Sequence, residues 1–252
     1  MADKEIVELV ENPTTFNYAI SCAAFEFNLK NKPRVLLVDY QKNAGREVQK
    51  RLPAGRFQIQ DLILAVDMHL KNLLENENGR RIQSLEFFWD DADTLYKRYK
   101  PLADTAKNDD EVNTLFNDFT ANLLIKFQSC KIDAPEFKAI LKQTHLNTVI
   151  RELREETDAK EVGKIYLSSC SYNEKGHYKI GFTSTEVKAP EFHEGSSDEK
   201  VLKSYWEDID ENTSKTIFGG HYSKFQAGMG QIIRLGLHPN SLELSKFFLA
   251  NN

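Results

Sequence analysis

The chain has 252 residues, 40% apolar and 28% charged, with a formal net charge of −5. That is the balance of a globular protein long enough for one large domain or two smaller lobes. No apolar run approaches the roughly 20 residues of a membrane-spanning helix, so no membrane partner is expected. The three cysteines, Cys22, Cys130 and Cys170, are too few and too scattered for a disulfide framework and suit a reduced protein with buried thiols.

The N-terminal MADKEIVELV is acidic and amphipathic, unlike a signal or transit peptide. It reads as a short helix with Ile6, Val7 and Val10 on one side. Thr14 to Leu29 sets Phe16, Ala19, Ile20, Ala23 and Phe27 at helical spacing, and Pro33 stops that segment. PRVLLVDY then starts like the first strand of a receiver or nucleotide-binding domain. Tyr40, Gln41 and Lys42 follow Asp39 where further acids would belong, no GxxxxGK[ST] loop occurs, and the rest of the chain lacks βαβ alternation. Residues 41–51 read instead as a helix with Lys42, Arg46 and Lys50 on one face.

Asp61 is placed to cap a helix that turns Leu62, Val66, Leu70, Leu73 and Leu74 inward, and residues 75–81 (ENENGRR) read as a turn. Asp90, Asp91 and Asp93 sit in WDDADTLYKRYK, expected at a helix N-terminus. The clearest helix spans about Asp110 to Gln128, with an apolar stripe of Val112, Leu115, Phe116, Phe119, Leu123, Leu124 and Phe127 behind a capping group at 108–111. APEFKAILKQTHL and NTVIRELREET follow as two more helices. After Asp158 the runs Lys164–Ser168 and His177–Phe182 form a hairpin around residues 173–176. VLKSYWEDI and SLELSKFFLA read as amphipathic helices, with a short helix near Met229–Leu235. Together these predict a mainly α fold of two helical lobes, with a short β-hairpin in the C-terminal half and terminal arms. The expected boundaries are 1–12 (arm), 13–130 (lobe with a basic surface), 131–240 (second lobe) and 241–252 (arm).

Little in the sequence assembles catalytic chemistry. The six histidines show no HxxxH or CxxC pairing, so no metal or other cofactor is expected. No GxSxG occurs, and IYLSS with HYKIGFTS looks like the β-motifs of a GIY-YIG nuclease but lacks an Arg between Arg154 and Arg234. The three aspartates at 90, 91 and 93 would serve a metal-dependent nuclease or transferase, the alternative to a binding protein. A protein-interaction module without RNA binding is a third class.

Charge distribution carries the main functional signal. From Lys30 to Arg56 there are eight bases and two acids, a local +6, whereas Glu155 to Ile233 holds nine Lys and fourteen acids, a local −5. Arg34, Lys42, Arg46, Lys50, Arg51 and Arg56 would neutralise phosphates, with Arg80, Arg81, Lys97 and Arg98 as secondary contacts. Tyr40 and Phe57 would stack on unpaired bases.

YAISCAAFEFNLKNKPRVLLVDYQKNAGREVQK and KIYLSS resemble the nucleoproteins of orthobunya-type negative-strand RNA viruses, through Cys22, Asn28-Leu29, Pro33-Arg34, Val35–Val38, Asp39 and the Lys42 to Lys50 run. The resemblance implies a non-enzymatic nucleocapsid protein that binds single-stranded RNA in a basic cleft without strong sequence preference. It implies homo-oligomeric rings or filaments, with Ile6, Val7, Val10, Leu244, Phe247 and Phe248 in swapped arms. A viral polymerase would be a further partner, and the host cytoplasm and virion the location.

Overall fold

In a computed structural model of the chain, the described residues are 16–28, 30, 32–41, 46–74, 79–130, 134–172, 177–195, 200–210, 212–217 and 219–250. The fold they form is α/β rather than mainly α. An eight-stranded sheet runs in the order β6-β7-β1-β2-β10-β9, with β3 beside β2 and β4 beside β1. Its strands are β1 (Tyr18–Phe27), β2 (Pro33–Tyr40), β3 (Gln49–Arg51), β4 (Ala54–Arg56), β6 (Tyr166–Tyr172), β7 (Tyr178–Ser184), β9 (Phe192–Glu194) and β10 (Val201–Asp208). A separate pair joins β5 (Glu161–Val162) to β8 (Val187–Lys188). The helices are α1 (Ile59–Leu74), α2 (Gly79–Thr105), α3 (Asp109–Ser129), α4 (Ala134–Thr157), α5 (Thr213–Thr216), α6 (Gly220–Leu235) and α7 (Ser241–Ala250).

The chain divides into two compact units. The first, Met1–Tyr18, Arg56–Thr148 and Glu174–Tyr178, is the helical one. Its core is aromatic: Phe16 stacks on Phe57 with centroids 5.1 Å apart, and Phe127 meets Phe16, Phe88 and Phe137 edge-on or tilted. Asn108 caps α3 by accepting the Glu111 N–H at 2.9 Å, as its sequence implies. Leu62 and Val66 of α1 are buried.

The second unit, Ala19–Gly55, Val149–Asn173 and Lys179–Asn252, holds the sheet. Here the helical readings fail across the described parts of 14–29 and 41–51 and across VLKSYWEDI. Residues 18–27 are strand, buried almost continuously from Ile20 to Phe25. A strand covered on both faces is apolar at every position, so it satisfies a helical template as well as an extended one. VLKSYWED is β10, paired antiparallel to β2 with Trp206 opposite Leu36 and Tyr205 opposite Leu37. Its β-branched and aromatic residues fit that pleated, half-buried surface. APEFKAILKQTHL and NTVIRELREET form one helix, α4, rather than two. The two runs of the expected hairpin do lie side by side as β6 and β7; the turn at 173–176 is outside the described residues.

One core cluster joins Ala23, Phe25, Val35, Leu37 and Leu52 to Phe225, Met229 and Ile232 of α6 and Leu244 of α7. Gly228 lets α6 approach β1, since a Cβ there would lie 2.8 Å from the Ala23 Cβ. Leu244 is therefore committed to its own core, while Ile6, Val7, Val10 and the Phe247 and Phe248 side chains are outside the described residues.

Candidate active site

The last two turns of α4 carry Arg151, Glu152, Glu155 and Glu156. Positions 152 and 156 are four apart and share a helix face, and both are buried. The chain leaves α4 through Asp158, which sits in the left-handed region at φ 53° while its N–H still donates to the Arg154 carbonyl at 3.0 Å. That is a one-residue left-handed stop, a conformation Asp tolerates better than most side chains.

Four contacts fix the carboxylates. Arg51 of β3 donates to Glu156 Oε1 at 2.7 Å, and the Ala54 N–H donates to Glu156 Oε2 at 2.8 Å. Arg151 reaches both Glu152 Oε1 at 2.6 Å and Glu155 Oε2 at 2.8 Å. Gly55 has no side chain for a steric reason: a Cβ there would overlap the Glu152 carboxyl group. Arg51 is held from its other side by the ring of Tyr40, 3.5 Å from its guanidinium carbon.

Burial pushes the Glu156 carboxyl up to about 7, the charge of Glu152 pushes the same way, and Arg51 opposes both. A carboxyl group that titrates near neutrality inside a protein is suited to accept a proton from water. Among the described residues no group of three or more His, Cys, Asp or Glu side chains is placed to hold a metal ion.

The residues expected to bind RNA are placed otherwise. Arg34 of β2 is bonded to Glu26 and to both oxygens of Glu191, at 2.7 and 2.8 Å. It lines a cavity of about 550 Å³ with Glu26, Phe27, Asn28, Lys30, Lys32, Glu191 and Asp208. Lys50 pairs with Glu207 at 2.6 Å and Arg51 with Glu156. Lys42 is outside the described residues, Arg46 is exposed on a bend, and residues 46–51 run from that bend into β3, which holds Lys50, without a helix. Arg56 donates to Asn113 at 2.7 Å. Arg80 and Arg81 lie in α2 rather than in a turn, with side chains outside the described residues; Lys97 pairs with Asp93 on the same helix, and Arg98 is exposed there. Phe57 is buried in the first unit's core and Tyr40 is covered by Arg51, so the two expected stacking platforms are taken. Three members of the basic run, Arg34, Lys50 and Arg51, are thus neutralised by distant carboxylates.

Asp90, Asp91 and Asp93 sit within α2, not at its N-terminus; Asp91 pairs with Lys126 at 3.0 Å and Asp93 with Lys97 at 2.5 Å. They make no metal site. Asp39 accepts from Tyr205 at 2.9 Å and pairs with Lys203 at 3.2 Å. Glu152 and Glu156 went unmarked in the sequence, where RELREET reads as an ordinary charged helix end. The available signal was two glutamates four apart on a helix running into a β-rich segment.

No family model matches the chain, and no curated protein matches it. Solved structures do match, all at low identity. The NUDIX domain of Shewanella oneidensis NrtR, in complex with ADP ribose, is 11% identical over 85% of this chain and 87% of its own, with a TM-score of 0.40. A NUDIX hydrolase from Nitrosomonas europaea is 12% identical over 85% and 89%, TM-score 0.36. A MutT/nudix family protein from Enterococcus faecalis is 11% identical over 90% and 66%, TM-score 0.39. None of these is a viral nucleoprotein. The nucleoprotein resemblance does not hold, and with it fall the nucleocapsid function, single-stranded RNA and a polymerase as partners, and assembly into rings or filaments. The expectation of a non-enzyme finds no support among the matches either.

Proposed function

We propose that the chain is a hydrolase in which Glu156 is the general base. The observation that carries this is the buried Glu152–Glu156 pair on α4, with the Glu156 carboxyl pushed up to about 7 beside the guanidinium of Arg51. Ala54 fixes one oxygen of Glu156 through its backbone, which sets the orientation of the carboxylate. Arg51 holds the other and is the exchangeable partner. A substrate bearing negative charge draws Arg51 to itself and frees Glu156 Oε1. The freed carboxylate takes a proton from water as the water oxygen bonds to the substrate's phosphorus or acyl carbon; the bond to the leaving oxygen breaks, and that oxygen departs as an anion that takes up a proton from solvent. Arg51, already ordered against Tyr40, stabilises the negative charge that develops on the leaving or attacked group.

Hydrolysis of a phosphomonoester, a phosphoanhydride and a carboxylic ester should be compared across pH, with Mg²⁺ present as counterion. Glu156→Gln is expected to lower kcat/KM on the accepted substrate by about 10²-fold or more. It should also remove an acidic limb centred near pH 7 in the wild-type profile. A variant as active as the wild type, with the limb intact, would overturn the assignment. A second reading rests on one observation: both Glu156 oxygens already have partners, as in a purely structural anchor between α4 and the β3–β4 segment. In that case Glu156→Gln costs stability and no substrate shows turnover.

A further inference from the structure

In the second unit Ser168 and Ser169 of β6, Lys179 of β7, and His221 and Lys224 of α6 carry polar groups for which the described residues provide no hydrogen-bond partner or carboxylate. Lys179, Gly181 and Thr183 alternate along β7 and share one face. At Gly181 three side chains converge: a Cβ there would overlap Ser169 Oγ and lie 3.2 Å from Ser168 Oγ and 3.4 Å from Lys224 Cγ. Both serine oxygens are buried and have no hydrogen-bond partner, and neither has the buried Nδ1 of His221. No carboxylate among the described residues pairs with Lys179 or Lys224.

The charges there push on one another. Burial first, then Lys179, bring the Lys224 ammonium down to about 8. Burial, with Lys224, Arg51 and Lys179, takes His221 down to about 3, so its ring is neutral at physiological pH. Arg34 shows the contrast within the same unit, since Glu26 and Glu191 already neutralise it. Unsatisfied buried donors and uncompensated cations both cost free energy, and one species relieves both: an anion with several acceptor oxygens.

We propose that this cluster binds a phosphate-class oxyanion, held by Lys224 and Lys179 with hydroxyl donation from Ser168 and Ser169. None of these four residues serves in the hydrolase reading, and the site stands whether or not Glu156 is a base.

The test uses the full chain, with inorganic phosphate against chloride at matched ionic strength, followed by thermal melting and calorimetric titration. Phosphate is expected to raise Tm in a saturable manner where chloride does not. Lys224→Gln should weaken phosphate binding about tenfold or more, the loss of one charge-assisted contact. Lys179 is exposed, so Lys179→Gln keeps the fold and should weaken binding about threefold or more. Glu156→Gln should bind phosphate as the wild type does, which separates this site from the catalytic assignment. Competition by phenyl phosphate would identify a phosphomonoester as the occupant, and its failure to compete would identify the free ion. Equal melting in phosphate and chloride, or wild-type phosphate affinity in both lysine variants, would overturn the proposal.

Discussion

The two units differ in how they treat buried polar groups. In the helical unit one network closes on itself, and His69 Nε2, 4.0 Å from Glu136, is the buried atom there without a hydrogen bond among the described residues. Asp61 receives Thr148 Oγ1 at 2.8 Å and the Gln58 N–H at 3.1 Å, Asn147 donates to the Asp61 carbonyl at 2.9 Å, and Tyr18 and Thr148 share a hydrogen bond of 3.0 Å. Asn17 bridges Asn117 and His177, both at 2.7 Å. In the sheet unit the carboxylates close on Arg34, Lys50 and Arg51, yet Ser168, Ser169, Ser204, His221 and the Nε of Arg51 keep buried atoms with no partner. A closed network holds a fold in one arrangement, whereas an open set of donors is completed only by something from outside.

Breaking the closed network is expected to have the largest effect. Asp61→Ala removes the carboxylate oxygen that accepts from both the Thr148 hydroxyl and the Gln58 N–H; Asp61 and Thr148 are buried, and Gln58 is exposed. The expected loss is roughly 3 kcal/mol of unfolding free energy, read from urea denaturation. A loss well under 1 kcal/mol would mean that closure in the helical unit contributes little, and the contrast with the sheet unit would collapse.

Glu156 provides the next effect, and it depends on pH. Its folded-state value near 7 lies above the ordinary 4.5. A raised carboxyl value means stability that is fully present below about pH 4.5 and is lost as pH rises through 7. The shift corresponds to roughly 3 kcal/mol as an upper figure. Glu156→Gln has no such titration, so the stability of the wild type relative to the variant should fall steadily from pH 4.5 to 8. A constant difference across that range would place the Glu156 charge in solvent-like surroundings and remove the basis for a base at that position.

How much of this could be read beforehand follows from where the determining contacts lie in the chain. The α3 stripe and its Asn108 cap were legible because a helix is specified by neighbours three and four residues away. Helix α7 and the pairing of β6 with β7 were legible for the same local reason. Strands β1 and β10 were not, because their partner β2 decides their conformation and β10 lies more than 160 residues beyond it. The basic segment misled in a similar way. Lys50 and Arg51 look unopposed until Glu207 and Glu156 arrive from 157 and 105 residues away. Lys224 stayed invisible because its meaning comes from the absence of a partner, which only the fold reveals.

The smallest effect concerns the backbone beside the site. Asp158, two residues after Glu156, holds φ 53°, a region where a side chain is strained and glycine is not. Its carboxylate pairs with Lys160 at 2.5 Å, and both side chains are largely in solvent, where such a pair contributes little. Asp158→Gly therefore removes strain and gives up a weak contact. It also enlarges the conformational freedom of the unfolded chain, which offsets part of the gain. The expected net outcome is a rise in Tm of about 2 °C. The helix stop and the Arg51–Glu156 contact remain, so the acidic limb near pH 7 should not move. A shifted limb would show that the left-handed stop itself tunes Glu156, and that the tension in the sheet unit resides in its backbone as well as in its unpaired polar groups.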